Sequence, residues 1–243
     1  MRMGGQTGGM SVTVLGVAGL LGAVLVLLAV GDGDTTIART FFFDEAAGHW
    51  IGRHDWWANG LLHTGGRAVM RAVGLGAIVA WAASFRVARL APYRGALGCF
   101  AACMVIVPLS VGLLKPVTDV DCPWDLQGFG GTRPVIHWFQ DRPDGLPRAA
   151  CFPGAHSSSA FALFSLFFLW HPTRPRLAWT ALAATVLIGA LFSIAQQARG
   201  AHFLSHDVAS ALIAWLLCHA LTRPAFKRSD PAHPVPLSPR SSR

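Results

Sequence analysis

Two short motifs carry most of the chemistry available to this 243-residue chain. Pro153-Gly154-Ala155-His156 opens one apolar segment, and Arg199-Gly200-Ala201-His202-Phe203-Leu204-Ser205-His206-Asp207 opens another. Each sets a histidine beside small residues at the border between a polar loop and a membrane-length stretch. A histidine can exchange a proton near neutral pH or act as a nucleophile. Guanidinium groups and the free amides of a helix start hold anions. Gathered at one membrane surface, such groups suit phosphoryl transfer from a lipid.

The spacing assigns provisional roles. Gly154 and Ala155 let the backbone approach an anion, and His156 is placed to protonate a leaving oxygen. Arg199, His202 and His206 are three and four residues apart, so on a continuous helix they share one face and Asp207 falls off it. A nucleophilic histidine needs a partner on its far ring nitrogen to fix the tautomer. On that helical geometry His206 is the better placed partner of His202, with Asp207 behind it. Lys115 closes an earlier apolar segment and Arg133-Pro134 follows in the next loop. Both offer positive charge to a phosphate, although Lys115 alone also reads as a membrane-end anchor.

These residues must be positioned by membrane helices. The chain is 53% hydrophobic and only 13% charged, against about 25% charged in soluble domains. A bilayer-spanning helix needs about 20 largely apolar residues. Six stretches qualify, at 10–30, 68–85, 97–114, 157–170, 177–195 and 206–221, the fourth and sixth being short. The expected fold is all-α: an integral membrane six-helix bundle with an interfacial helix and a long outer loop. One domain covers 1–222, and a Pro- and Ser-rich basic tail over 223–243 has a disorder-like composition. The first segment lacks a clear cleavage site and reads as a retained anchor.

The net charge of +8 is a topology signal and gives no support to nucleic acid as a partner. Arg86, Arg89 and Arg94 fall in a linker with no acid, Arg174 and Arg176 in another, and further basic residues in the tail. The loop over 31–67 holds five acids against three arginines, and that over 115–151 is also acidic. The positive-inside rule then puts both termini in the cytoplasm and Lys115, Arg133, His156, Arg199, His202 and His206 together outside an inner (plasma) membrane. Trp50, Trp56, Trp57 and Phe41 to Phe43 in the first outer loop read as interfacial anchors. Arg67 and Arg71, four apart where the second span begins, are either snorkelling anchors or contacts to an anionic headgroup.

Cys99, Cys103 and Cys218 fall in apolar spans and read as core residues. Cys122 and Cys151 share the long outer loop, where a disulfide persists. Closing it would remove unfolded-chain entropy worth roughly 3.5 kcal/mol in the loop-closure model.

Together these residues resemble the type 2 phosphatidic acid phosphatase superfamily, in a divergent, lipid A phosphatase-like branch. Its pattern is Lys-x6-Arg-Pro, then Pro-Ser-Gly-His, then Ser-Arg-x5-His-x3-Asp. The resemblance implies a phosphorylated last histidine, a general-acid middle histidine, an orienting aspartate and no metal or other cofactor. Carried over, His202 is the nucleophile, His156 the acid, and Lys115, Arg133, Gly154, Ala155 and Arg199 hold the phosphate. The chain departs from the pattern: seventeen residues separate Lys115 from Arg133, Gly154 and Ala155 replace Ser and Gly, Ala198 precedes Arg199, and His206 stands where the aspartate is expected. A second register makes His206 the nucleophile beside Asp207. The implied substrate is a lipid phosphate or diphosphate, with hydrolysis and transfer to a second lipid both open.

Other readings are a transporter and a cofactor-binding membrane protein. Transport through the spans would call for intramembrane carboxylates, and only Asp207, at an end, qualifies; haem would call for paired histidines deep in the spans, where only His219 stands near a membrane end. Asp119 and Asp121, with Asp125 nearby, have the spacing of an aspartyl phosphatase motif but follow an apolar span and not a buried strand.

Overall fold

A computed structural model describes residues 4–137 and 140–227. In chain order its helices are α1 (Gly4–Val30), α2 (Gly33–Phe41), α3 (Gly66–Ala83), α4 (Arg94–Thr118), α5 (Ala155–Phe161), α6 (Phe164–Trp170), α7 (Pro175–Ala198) and α8 (Leu204–Lys227). A π-helical stretch, Trp56–Gly65, runs directly into α3, and a two-stranded hairpin pairs β1 (Phe43–Asp44) with β2 (His49–Trp50). The architecture is the expected all-α membrane bundle.

Among the described residues, five stretches are long and apolar enough to cross a membrane: Val12–Val30, Trp56–Ala83, Ala91–Asp125, Pro175–Ala198 and Leu204–Arg223. The fourth expected span is instead a shorter broken helix, Ala155–Trp170, turning at Ala162 and Leu163 between α5 and α6. The expected tail starts inside α8, which continues to Lys227, and residues 228–243 lie outside the described residues.

The bundle is organised around α8, which packs on α1, α4, α5 and α6. Trp215 at its middle is fully buried against Phe164, Phe167 and Phe168, and its indole N–H donates to the Val14 carbonyl at 3.1 Å. That bond gives the indole its polar partner in an otherwise apolar core. In contrast, α1, α3, α4 and α7 carry exposed Leu15, Leu20, Leu75, Leu109, Leu113 and Leu187 on their outer faces. Helices satisfy their own backbone groups, so such faces are stable against lipid tails. Pro108 and Pro116 lie within α4, an arrangement membrane helices tolerate when neighbours take up the freed carbonyls.

A second apolar cluster caps the end of the bundle where α4 and α7 finish and α5 and α8 begin. Phe43, Trp50, Leu126, Phe129 and Phe203 form it, and the Trp50 indole donates to the Phe129 carbonyl at 3.1 Å. Trp50 is therefore a core residue of this cap and not the expected interfacial anchor, whereas Trp56 remains exposed. The long loop closes over the cap through the Cys122–Cys151 disulfide, whose Cα atoms are 5.1 Å apart. It is also held by Arg142, which donates to Asp121 at 2.6 and 3.1 Å and to the Pro147 carbonyl at 2.6 Å. The hydrogen bonds to Asp121 push the Arg142 pKa above its ordinary value.

The start of α8 is capped from a distance. Asp34 of α2 is buried and accepts the Ser205 N–H at 2.9 Å, satisfying one of the orphan amides of the first turn. Asp34→Ala is expected to cost about 1 kcal/mol of stability, seen as a lower melting temperature. Burial pushes the Asp34 carboxyl above its ordinary pKa, against the Ser205 hydrogen bonds that pull it down. Between the ordinary and raised values the folded chain keeps a proton that the unfolded chain has lost. This residue's contribution to stability therefore falls as pH rises through that window, and melting curves of Asp34→Ala should lack that slope.

Candidate active site

Gly200 decides the geometry at the end of α7. Its φ of 74° is left-handed, and it ends the helix with two bonds: Ala201 N–H to Gln196 O and Gly200 N–H to Gln197 O, both 2.9 Å. This is a Schellman cap. The chain turns away after Arg199, leaving His202 in an irregular link before α8 starts at Leu204. The expected shared helical face of Arg199, His202 and His206 therefore does not form, because a glycine cap interrupts the helix between them.

In place of that face, His202 folds back onto the first turn of α8. Its Nδ1–H donates to Asp207 Oδ1 at 2.9 Å, with both side chains almost wholly buried. Asp207, and not His206, is thus the partner of His202. The bond fixes the tautomer and leaves Nε2 as the ring nitrogen that carries the lone pair. Ser157 donates to the same Asp207 oxygen at 2.6 Å, so α5 holds the aspartate from the other side.

Gly154 makes this contact possible. A Cβ there would lie 2.5 Å from Asp207 Oδ1 and 2.9 Å from His202 Nδ1. The serine that the family pattern has at this place would not fit, and the chain correspondingly has four residues between His202 and Asp207 where the pattern has three. The Gly154 N–H donates to the His206 carbonyl at 2.8 Å, and Ser210 Oγ donates to the Gly154 carbonyl at 2.8 Å. Gly154→Ala should therefore pry His202 from Asp207 and reduce kcat by about 10²-fold, the scale of an ångström-size misplacement. Steady-state phosphate release checks it, and unchanged kcat would show that the turn relaxes without cost.

His202 lines a groove of about 710 Å³ together with His63, Arg67, Arg71, Lys115, Ala155, His156, Ser159 and Gln196. The His156 ring stacks on Phe192, with centroids 4.5 Å apart, and its Nε2–H donates to the Leu62 carbonyl at 3.1 Å. Nδ1 is then the nitrogen left to exchange a proton with a ligand. Lys115 Nζ donates to the carbonyls of Ala150 and Cys151 at 3.1 and 3.3 Å, which leaves one of its three donors for the groove. Arg199 donates to Gln196 Oε1. Its pKa is held below the ordinary value by burial first and by the Arg67 charge second.

Two expected residues stand elsewhere. Arg133 does not line the groove: it pairs with Asp121 and lies 4.0 Å from Asp125 within the long loop. Those carboxylates neutralise it where it sits, and Leu126 bridges to it along the backbone. With six residues between, Lys115 is followed by Cys122-Pro123, so the place that the pattern gives to arginine is taken by a disulfide cysteine. His206 is fully buried between Phe152 and Phe203 and lines a separate cavity of about 510 Å³ with Asp34 and Phe203.

Sequence reasoning overlooked His63, Ser157 and Gln196. His63 sits four residues before Arg67, a spacing that signals a shared helix face, and its ring lies 5.0 Å from that of His156. Ser157 directly follows His156 and had no signal beyond that adjacency.

No curated protein and no solved structure matches the chain. The family model of the PAP2 superfamily matches residues 96–230, a stretch that includes Lys115, His156, His202 and Asp207. The conjunction of this match with a buried His202–Asp207 pair, a facing His156 and a cation-lined groove in a membrane bundle leads to one conclusion: the chain belongs to the PAP2 superfamily, whose members are phosphatases acting on phosphorylated substrates.

Proposed function

We propose that this chain is a metal-independent membrane phosphatase that removes a phosphate from a lipid phosphate or diphosphate through a phosphohistidine. The observation that carries the reading is the grading of the groove along its two walls. Along the Trp56–Ala83 helical stretch the lining passes from His63, Arg67 and Arg71 to Gly74, Leu75 and Ile78, and on α4 from Lys115 to Pro108, Val105 and Met104. One end is cationic and the other apolar, as an amphiphile with an anionic head requires. Leu75, Ile78 and Val105 are also exposed on the flank of the bundle, so the groove opens where lipid tails would lie.

In the proposed reaction His202 Nε2 attacks phosphorus and forms an N–P bond. The P–O bond to the leaving group breaks, and that oxygen takes a proton from His156 Nδ1. Asp207 supports the positive charge that develops on the His202 ring. Lys115, Arg199 and the Ala155 amide stabilise the charge on the equatorial oxygens. Water then attacks phosphorus, gives a proton back to His156, and releases phosphate as the P–N bond breaks. The asymmetric loop charges support a groove that faces outside the cytoplasm, with both termini inside.

The test is phosphate release by purified protein from a panel of lipid phosphates and diphosphates, with and without chelator. Turnover that persists in chelator and an acid-labile, alkali-stable phosphoenzyme are the expected results. Loss of activity in chelator and recovery on adding Mg²⁺ or Zn²⁺ would overturn the metal-independent mechanism.

A further inference from the structure

His63, Arg67 and Arg71 recur at four-residue intervals, hence along one face of the Trp56–Ala83 helical stretch. They lie outside the residues that the family model matches. All three line the groove. His63 is the point of contact with the general acid, its ring 5.0 Å from His156, and Arg67 donates to His63. Arg71 lies five residues beyond Gly66, roughly 7.5 Å along the axis, where α3 is already within the apolar stretch. An arginine at such depth is costly without a partner. Among the described residues no carboxylate forms an ion pair with Arg67 or Arg71, and none lines the groove. Arg199 adds further repulsion, since its charge and that of Arg67 disfavour each other.

The order of groups assigns this charge to one part of a ligand. The transferred phosphoryl group has Lys115 and the Ala155 amide on the groove lining, with Arg199 held beside the lining residue Gln196. His156 marks the oxygen that leaves. From there toward the apolar end, the next groups on the wall are His63, Arg67 and Arg71, and only then Gly74, Leu75 and Ile78. A leaving alcohol attached directly to a hydrocarbon chain needs no cations at that point. A second phosphate does.

We infer that the leaving group is itself a phosphate, so that the substrate is a lipid diphosphate whose chain-proximal phosphate is held by Arg67 and Arg71; this rests on the proposed phosphatase reading of the groove. The anhydride P–O bond to the terminal phosphorus breaks as the His202 N–P bond forms. The former bridging oxygen takes the electron pair and a proton from His156, and a lipid monophosphate departs. Arg67 and Arg71 offset the charge that collects on it.

Farnesyl diphosphate and farnesyl monophosphate share one chain and differ by one phosphate, and so isolate this subsite. The wild-type protein is expected to favour the diphosphate in kcat/KM by about 10²-fold. Arg67→Ala and Arg71→Ala should each reduce that preference about tenfold, and lysine at either position should restore part of it through charge alone. The preference is a ratio taken within one preparation, so partial loss of folded protein cancels. Equal turnover of the two lipids by the wild type would overturn the inference, as would variants that lose activity while keeping the wild-type ratio. A wild-type protein that releases phosphate from neither and traps no phosphohistidine would overturn the phosphatase reading beneath it.

Discussion

His202→Ala is expected to lower phosphate release by at least about 10⁴-fold, because on the proposed mechanism it removes the group to which phosphorus is transferred. His206 is a neighbouring imidazole, with ring centroids 5.8 Å apart, but it is wholly buried between two phenylalanines and does not line the groove. The variant should also melt below the wild type, since the buried Asp207 loses its imidazole partner, so rates are compared per folded molecule. Brief incubation with labelled substrate, followed by an alkaline quench and peptide mapping, reports the acceptor directly. Phosphate found on His206 would reverse the assignment.

Asp207→Asn should be nearly as damaging, with kcat reduced by about 10³- to 10⁴-fold and a smaller change in KM. The aspartate accepts from His202 Nδ1 at 2.9 Å and from Ser157 Oγ at 2.6 Å. An asparagine amide can satisfy one of these while turning its N–H₂ toward the ring, which favours the tautomer with the proton on Nε2 and blocks attack. It also removes the negative charge that offsets the developing imidazolium. Because the replacement preserves shape, the loss should appear in the rate of phosphoenzyme formation under single turnover. Formation at the wild-type rate would show that His202 is oriented by packing alone and that the carboxylate is dispensable.

Much of the architecture is legible in the sequence because a bilayer imposes a strict rule: backbone groups must be satisfied within helices, and the faces must be apolar. The functional histidines are legible for a related reason, standing with Lys115 at helix ends beside small residues. What escapes the sequence is whatever depends on how the chain leaves one element and enters the next. Arg199-Gly200 contains a helix-stop signal, yet a helical wheel drawn through it pairs His202 with His206, and only the left-handed Gly200 turn brings Asp207 into contact. Arg133-Pro134 has the expected residue types, but two nearby aspartates hold it in the loop. Trp50 has the composition of an interfacial anchor, and a hairpin folds it into the cap instead. The place of His63, Arg67 and Arg71 in the groove depends on tertiary packing, since nothing local ties His63 to His156, ninety-three positions later.

The flank on which the groove opens changes what concentration means for this protein. Leu75, Ile78 and Val105 line the groove and are also exposed on the flank of the bundle, so a lipid substrate would arrive by lateral diffusion within a two-dimensional solvent. Its effective abundance is then a mole fraction of the surrounding lipid and not an amount per litre. Inert phospholipid mixed into the same vesicles dilutes the substrate and slows turnover even when the bulk substrate concentration is constant. Adding more vesicles of the same composition leaves the rate per molecule unchanged. Flux through such a site therefore follows membrane composition, and a cell that enlarges its lipid pool lowers the rate without altering the protein.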